Sequence, residues 1–258
     1  LAQRAAWLGV WLFGPRVLPG RAVRWIPAVP ADVWSTMVDT WSRRFGPLDA
    51  IAGYERLQLT RPGLALVLLR RGTPVAFVKL RDGAAPALRR EAEAMQMVWD
   101  AAPRSFVVTE PLGHGEVGDW SYIAAAPMPP SLHTPPESPP LGIITGDIAR
   151  ALSALTRPAD TPSHWTPVHG DFTPWNLRRL GHSLYLIDWE NVGWGPPGTD
   201  EVLYQATTYA IGGKAVKPTP YAEAVAHWRD VIQARVASND RDQTMRSRML
   251  AALAALAG

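Results

Sequence analysis

The run His169-Gly170-Asp171-Phe172-Thr173-Pro174-Trp175-Asn176, with Ile187-Asp188-Trp189 a short way beyond, constrains this chain more than any other feature. It sets an acid, an amide five positions later and a second acid in fixed order. Leu177 to Leu180, Gly181-His182-Ser183 and Leu184 to Ile187 read as a short hairpin between them. The first strand leaves from Asn176 and the second delivers Asp188, so two segments distant in sequence converge. Phosphoryl transfer asks for such a set. A carboxylate orients the acceptor hydroxyl and takes its proton, while oxygen ligands hold Mg²⁺ against the nucleotide phosphates. Asp171 suits the role of catalytic base, and Asn176 with Asp188 suits that of metal ligands. His-Gly-Asp and Ile-Asp are each common strings at turns and strand ends; their joint order and spacing give them weight.

Such chemistry also needs a lysine for the phosphates, held by a glutamate on a helix. Val75-Ala76-Phe77-Val78-Lys79-Leu80 is a run of apolar, β-favouring residues that reaches a lone lysine. The following segment, Ala87 to Trp99, has Leu88, Ala92, Met95 and Trp99 at helical spacing, which predicts an apolar stripe with Glu91 on its flank and Glu93 on the far side. Lys79 and Glu91 are therefore expected to pair at the nucleotide phosphates. A solvated strand-end lysine would be the plainer reading if no acid followed at the right phase.

With Gly170 where protein kinases carry arginine, and Trp189 after the second acid, the segment resembles the aminoglycoside phosphotransferase and choline kinase-like family. The H-G-D-x-x-x-x-N and I-D motifs both match, and so does Asp200 after Gly195-Pro196-Pro197-Gly198-Thr199, where the family places an acid that braces the catalytic loop. Arg90-Glu91-Ala92 is similar to the family's version of the amino-terminal helix. The resemblance is at the level of motifs and runs from about Leu57 to Glu201. It implies an α+β, two-lobed protein-kinase-like fold, with a small β-rich amino-terminal lobe and a mainly helical carboxy-terminal lobe. It implies ATP or GTP with Mg²⁺ as cofactors, and a structural rather than catalytic His169. It also places the adenine-binding hinge at Ala126 and Met128, after a strand read from Ser121 to Ala125. One departure concerns the loop over the phosphates: Leu57 to Thr60 and Leu64 to Leu69 read as paired strands around Arg61-Pro62-Gly63, which has one glycine and no G-x-G-x-x-G.

Seven prolines between Pro127 and Pro140 forbid helix and favour extended chain, so the lobes are divided there. The expected organisation is an amino-terminal extension over residues 1–50, a nucleotide-binding lobe over 51–128 and a catalytic helical lobe over 129–258. Beyond the prolines, Ile144, Ile148, Leu152 and Leu155 predict a helix to about Thr156. After Asp200 three more helices are read, Glu201 to Ala210, Pro220 to about Val236 and Asp240 to Ala257. In the extension, Trp7, Leu8, Trp11, Leu12 and Phe13 among arginines could associate residues 1–25 with a membrane surface. The preferred reading packs it on the amino-terminal lobe, because Trp34, Val38 and Trp41 form a helical stripe after Asp32, a candidate N-cap. Of the twelve tryptophans, Trp175 and Trp189 adjoin metal ligands and are assigned to packing, while Trp165 and Trp194 are left open.

A net charge of +3 without a stacking-plus-basic module argues against nucleic acid as partner. The absence of cysteine excludes disulfides and thiolate metal sites. No apolar run reaches the ~18 residues of a membrane span, and use of ATP points to the cytoplasm. The expected function is transfer of a phosphoryl group from ATP or GTP to a hydroxyl of a small molecule, such as a sugar, polyol or antibiotic. Near balance of acids and bases from Ser131 onward favours a neutral or weakly charged acceptor over a polycationic one. The alternative is a catalytically silent nucleotide-binding scaffold, suggested by the poor glycine loop. A protein kinase is disfavoured because 200 − 188 = 12 positions separate Asp188 from Asp200, too few for an activation segment.

Overall fold

Runs of Leu, Val and Ala in the first half of the chain build one antiparallel sheet. In the computed structural model, which describes residues 29–55, 63–83, 85–212, 217–235, 237 and 239–258, its five strands are β1 (Ala50–Glu55), β2 (Leu64–Arg70), β3 (Thr73–Asp82), β4 (Pro111–Val117) and β5 (Trp120–Ala125). They lie in the order β1-β2-β3-β5-β4, so the lysine strand β3 is central. The strand beside β2 is Ala50–Glu55, upstream of the Leu57 to Thr60 segment expected there. That segment and Arg61-Pro62 lie outside the described residues, as does the Trp- and Arg-rich stretch before residue 29.

Helix α1 (Ala31–Phe45) covers one face of this sheet. Its Met37 and Trp41 are fully buried in a cluster with Leu64, Leu66, Leu68, Val78 and Leu80. Trp41 also meets Trp34 and Tyr122 edge-on, with ring centroids at 6.0 and 5.6 Å, a favoured aromatic geometry. Trp34 and Trp41 of the predicted stripe lie on the packing face, with Met37 rather than Val38 between them, and Asp32 is not the cap. Pro30 occupies the N-cap position with no side-chain bond, and Asp32 sits inside the first turn. There its charge still complements the helix dipole.

Helix α2 (Pro86–Ala101) packs in a second cluster. Leu88, Met95 and Val98 meet Ile144, Ile148 and Leu152 around α3 (Leu141–Ala151), and Phe172, Leu177, Leu186 and Trp189 around the catalytic segments. The expected hairpin forms from β7 (Leu177–Leu180) and β8 (Ser183–Leu186), with Gly181 in the left-handed conformation at its turn. Two short strands, β6 (Thr166–Val168) and β9 (Gly193–Gly195), bracket the segment from His169 to Asn191. Helix α3 ends before the expected Thr156, in turns that lead to Pro158.

The proline-rich passage is stitched to the hairpin. Thr134 and Arg179 exchange backbone hydrogen bonds of 3.2 and 2.7 Å. Arg178 donates from Nε to His133 Nδ1 at 2.9 Å and from Nη2 to His133 O at 2.8 Å. A third cluster is formed by α4 (Thr199–Gly212), α5 (Ala222–Ala234) and α6 (Asp240–Ala257). It includes Val202, Leu203, Trp228, Leu253 and Leu256, and Trp228 Nε1 donates to Thr199 O at 2.7 Å. Among the described residues, no helix is long and apolar enough to cross a membrane.

Trp41 tests the role of α1. Trp41→Ala empties a site at the sheet face and should cost ~3–5 kcal/mol of unfolding free energy, measured by urea denaturation. The buried indole Nε1 has no partner, so Trp41→Phe, which keeps most of the ring and removes that polar atom, should cost much less.

Candidate active site

Lys79 projects from β3 opposite Ala65 on one neighbour and Ile123 on the other, and only 6% of it is exposed. Its Nζ donates to Glu91 Oε1 at 2.5 Å and also to Asp188 Oδ1. Burial alone would pull the ammonium down, but the charges of Glu91 and Asp188 outweigh it and hold the lysine above its ordinary pKa. Burial pushes Glu91 up, and Lys79 offsets that only in part. Glu91 Oε2 is buried without a hydrogen-bond partner.

The helix face differs from the one predicted. The buried residues of α2 are Leu88, Glu91, Ala94, Met95 and Val98, whereas Trp99 is 43% exposed and Ala92 is half-buried. Glu91 therefore sits in the middle of the buried face rather than on its flank. An apolar-stripe reading assigns acids to the edge, and a carboxylate bonded to a buried lysine escapes that rule.

The His169–Asn176 loop, the candidate catalytic loop, hangs between β6 and β7 on a small set of polar anchors. The backbone N–H groups of His169 and Gly170 donate to Asp200 Oδ2 and Oδ1 at 2.8 and 3.0 Å. His169 is fully buried; Asp171 N–H donates to its Nδ1 at 3.2 Å and its Nε2 lies 3.2 Å from Ile187 O. This pattern suits a neutral imidazole protonated on Nε2, and burial lowers its pKa to about 4. Asn176 donates from Nδ2 to Asp171 O and Oδ2 at 2.9 and 3.0 Å, which joins the candidate base to the candidate ligand. Ile187 N–H donates to Asn176 O at 3.0 Å, so the open end of the hairpin sets Asn176 and Asp188 side by side.

Two backbone positions carry this geometry. Gly170 has φ 75°, and a Cβ there would stand 2.1 Å from Asn191 O. The loop thus requires glycine for its conformation and for the close approach of another backbone. Asp188 has φ 70° and ψ 64°, left-handed for a residue with a side chain, a strain that survives only where the surroundings enforce it.

The residues expected at the hinge lie further along the sheet. Ala126 follows β5, and its N–H donates to Glu110 O at 2.8 Å, while Met128 is half-buried in the extended passage beyond. Trp189 is buried, 4.6 Å from the His169 ring and packed on Phe106. Trp175, by contrast, is 45% exposed, so the packing role assigned to it does not hold. A residue between two prescribed contacts in a tight loop, Asp171 and Asn176, has little freedom to turn inward. Trp165 donates to Glu223 Oε1 at 2.9 Å, and Trp194 donates to Thr156 O at 3.2 Å.

Sequence reasoning missed Glu190. Its carboxylate joins those of Glu91 and Asp188 in a group whose ligand atoms lie within 4.8 Å of one another. The signal was present as an acid two residues after Asp188, in a short 3₁₀ turn, Trp189–Asn191, which sequence alone does not distinguish from a strand.

The model of the phosphotransferase enzyme family matches residues 133–238, the segment that holds the catalytic loop, the second acid and Asp200. No curated protein sequence matches. Among solved structures, a spectinomycin phosphotransferase in complex with ADP and spectinomycin aligns with TM-score 0.52 and 10% identity over 86% of this chain and 98% of its own. An amicoumacin kinase in complex with AMP-PNP, Ca²⁺ and its antibiotic aligns with TM-score 0.52 and 10% identity, over 86% and 87%. A macrolide 2′-phosphotransferase from Brachybacterium faecium does so with TM-score 0.52 and 15% identity, over 86% and 98%. The fold is α+β and protein-kinase-like, and the resemblance to aminoglycoside phosphotransferase and choline kinase-like enzymes read from the motifs stands.

Two measurements check the loop. Gly170→Ala should strain the backbone by ~1–3 kcal/mol and displace the Asn191 carbonyl, seen as a lower melting temperature together with loss of function. His169 should show no imidazole titration by NMR between pH 8 and 5, since its pKa is about 4. Its contribution to stability is full above the ordinary value of 6.5 and is lost as pH falls through about 4. Asp200, which burial pushes up to about 7 from 3.8, contributes in the opposite sense: fully below 3.8, and less as pH rises through 7. The two trends overlap in global unfolding, which is why the single-residue signal is the cleaner test.

Proposed function

We propose that this protein transfers the γ-phosphoryl group of a purine nucleoside triphosphate, ATP or GTP, to a hydroxyl of a small molecule. The observation that carries the proposal is the convergence of Lys79, Glu91 and Asp188 with the Asp171–Asn176 pair at the open end of one hairpin. Lys79 would leave Asp188 for the phosphates while Glu91 keeps hold of it, so the buried ammonium exchanges one anionic partner for another. At the hinge the Ala126 N–H is already engaged with Glu110, which leaves its carbonyl, together with the Met128 N–H, to meet the base.

The donor set suits a hard cation. Asn176 commits its amide nitrogen to Asp171, so its Oδ1 is the coordinating atom, beside the Asp188 carboxylate. Mg²⁺ held there would neutralise charge on the phosphates. Asp171 supplies the base: the acceptor oxygen bonds to the γ-phosphorus, the bond to the β–γ bridging oxygen breaks, and the hydroxyl proton passes to the Asp171 carboxylate. Asn176 orients that carboxylate through its 3.0 Å bond to Oδ2.

Structural neighbours are named for phosphorylating antibiotics, among them spectinomycin and amicoumacin, which supports a hydroxylated small molecule as the acceptor: a sugar, a polyol or an antibiotic. The assembled polar set speaks against the silent-scaffold alternative. A screen of sugars and antibiotics for protein-dependent ATP consumption tests the proposal. Asp171→Asn should lower kcat by ~10²–10⁴ with nucleotide affinity little changed. Asp188→Ala should instead abolish the metal dependence of nucleotide binding. Near-normal turnover by Asp171→Asn on an identified acceptor would refute the mechanism.

A further inference from the structure

Strand β3 and the turn after β8 meet twice. Lys79 reaches Asp188, and two residues further along both segments Arg81 Nη2 lies 3.5 Å from Glu190 Oε2. Residues i and i+2 share a face of a strand, so β3 presents two cations in a row. The 3₁₀ turn Trp189–Asn191 spaces the two acids to match. The second pair is nearly as buried as the first, with 13% of the Arg81 side chain and 7% of the Glu190 side chain exposed. Arg81 is itself tied to its strand, donating from Nη1 to Leu80 O at 3.2 Å.

The first rung cannot persist once Lys79 turns to a phosphate. Asp188 then gives up its bond to Lys79 while its left-handed backbone, φ 70°, still has to be held. On the upstream side the hairpin holds it, through the Ile187 bond to Asn176. On the downstream side the turn is fixed by Trp189, whose buried indole donates to Leu186 O at 3.3 Å, and by the hold of Arg81 on Glu190. Arg81 also offsets the charge of Glu190, whose carboxylate would otherwise crowd those of Glu91 and Asp188.

We infer that Arg81 and Glu190 are positioning residues: the second rung of a two-rung clasp keeps the Asp188 turn against β3 and so aims the Asp188 carboxylate. The clasp itself rests on the geometry alone; its effect on cation and nucleotide rests on the phosphotransferase reading. A competing assignment makes Glu190 a direct ligand of the cation, and the experiment separates the two.

The full chain is prepared as Arg81→Ala, Glu190→Gln, the double variant and the charge-reversed pair Arg81→Glu with Glu190→Arg. Two properties are read: hydrogen exchange of the amides from Ile187 to Val192 without nucleotide, and the Mg²⁺ concentration needed for half-maximal ATP binding. Loss of a partner that orients a ligand typically weakens metal binding ~10–100-fold. Each single variant should raise the Mg²⁺ requirement by about that factor and speed exchange across the turn. The double variant should be no worse than either single one, because the pair acts as a unit, and the charge-reversed pair should recover part of both losses. If Arg81→Ala leaves exchange and Mg²⁺ requirement at the wild-type values while Glu190→Gln raises the latter, the clasp is wrong and Glu190 is a ligand. Should Arg81→Ala fail to fold, Arg81→Lys decides in its place: it keeps the charge but not the reach, so wild-type exchange in that variant also overturns the clasp. Failure of the wild-type protein to bind ATP with Mg²⁺ would sink the phosphotransferase reading and leave the exchange and charge-reversal results to judge the clasp.

Discussion

The structure turns on a buried ammonium held between two carboxylates from different parts of the chain. Lys79 comes from the central strand, Glu91 from helix α2 and Asp188 from the turn after the hairpin. Removing such charges from water costs several kcal/mol apiece, and only their mutual attraction offsets it. The arrangement is therefore weak evidence for stability and stronger evidence for a fixed geometry. Three elements are brought to one point beside the apolar cluster that packs the helix on the hairpin, and the point is charged. The unpartnered Glu91 Oε2 follows from the same arrangement, since a carboxylate turned toward one lysine leaves its second oxygen without a donor.

Around that point the backbone has little freedom. Asp200 receives two N–H donors from the catalytic loop, the His169 ring bridges the loop to the second strand of the hairpin, and Asn176 closes on Asp171. Each bond is ordinary in length, and most of them join residues distant in sequence. Together they over-determine a loop that has no regular secondary structure, which is how a left-handed Asp188 and a glycine pressed against a carbonyl persist at one site. Rigid support of this sort serves chemistry in which positioning and electrostatics do most of the work.

The polar centre was legible in the sequence because its chemistry dictates residue type as well as spacing. Asp188 and Lys79 stand out as single charged residues in apolar runs, Asp171 and Asn176 by their fixed spacing, and Glu91 by its helical phase relative to Glu93. What escaped were features set by tertiary contact. The two unread strands, Ala50–Glu55 and Pro111–Val117, are the two edges of the sheet. Edges tolerate the glycines and proline that blur the strand pattern in Pro111-Leu112-Gly113-His114-Gly115. The buried face of α2 was rotated from the apolar stripe because an ion pair, invisible to hydropathy, decides which side faces in. Glu190 was missed for a related reason: its importance lies in reaching Arg81, a contact between residues far apart in sequence.

The stitching of His133 and Thr134 onto the hairpin sets the length of the pivot. Strand β5 ends at Ala125 and the chain is anchored again at His133. Any opening of the cleft that moves the sheet against the hairpin must bend the seven residues from Ala126 to Leu132, and three of these, Pro127, Pro129 and Pro130, have φ already locked. The lever is short and its joint is stiff. A passage tied in this way leaves little backbone freedom between the sheet and the hairpin, and Ala126 and Met128 lie within it.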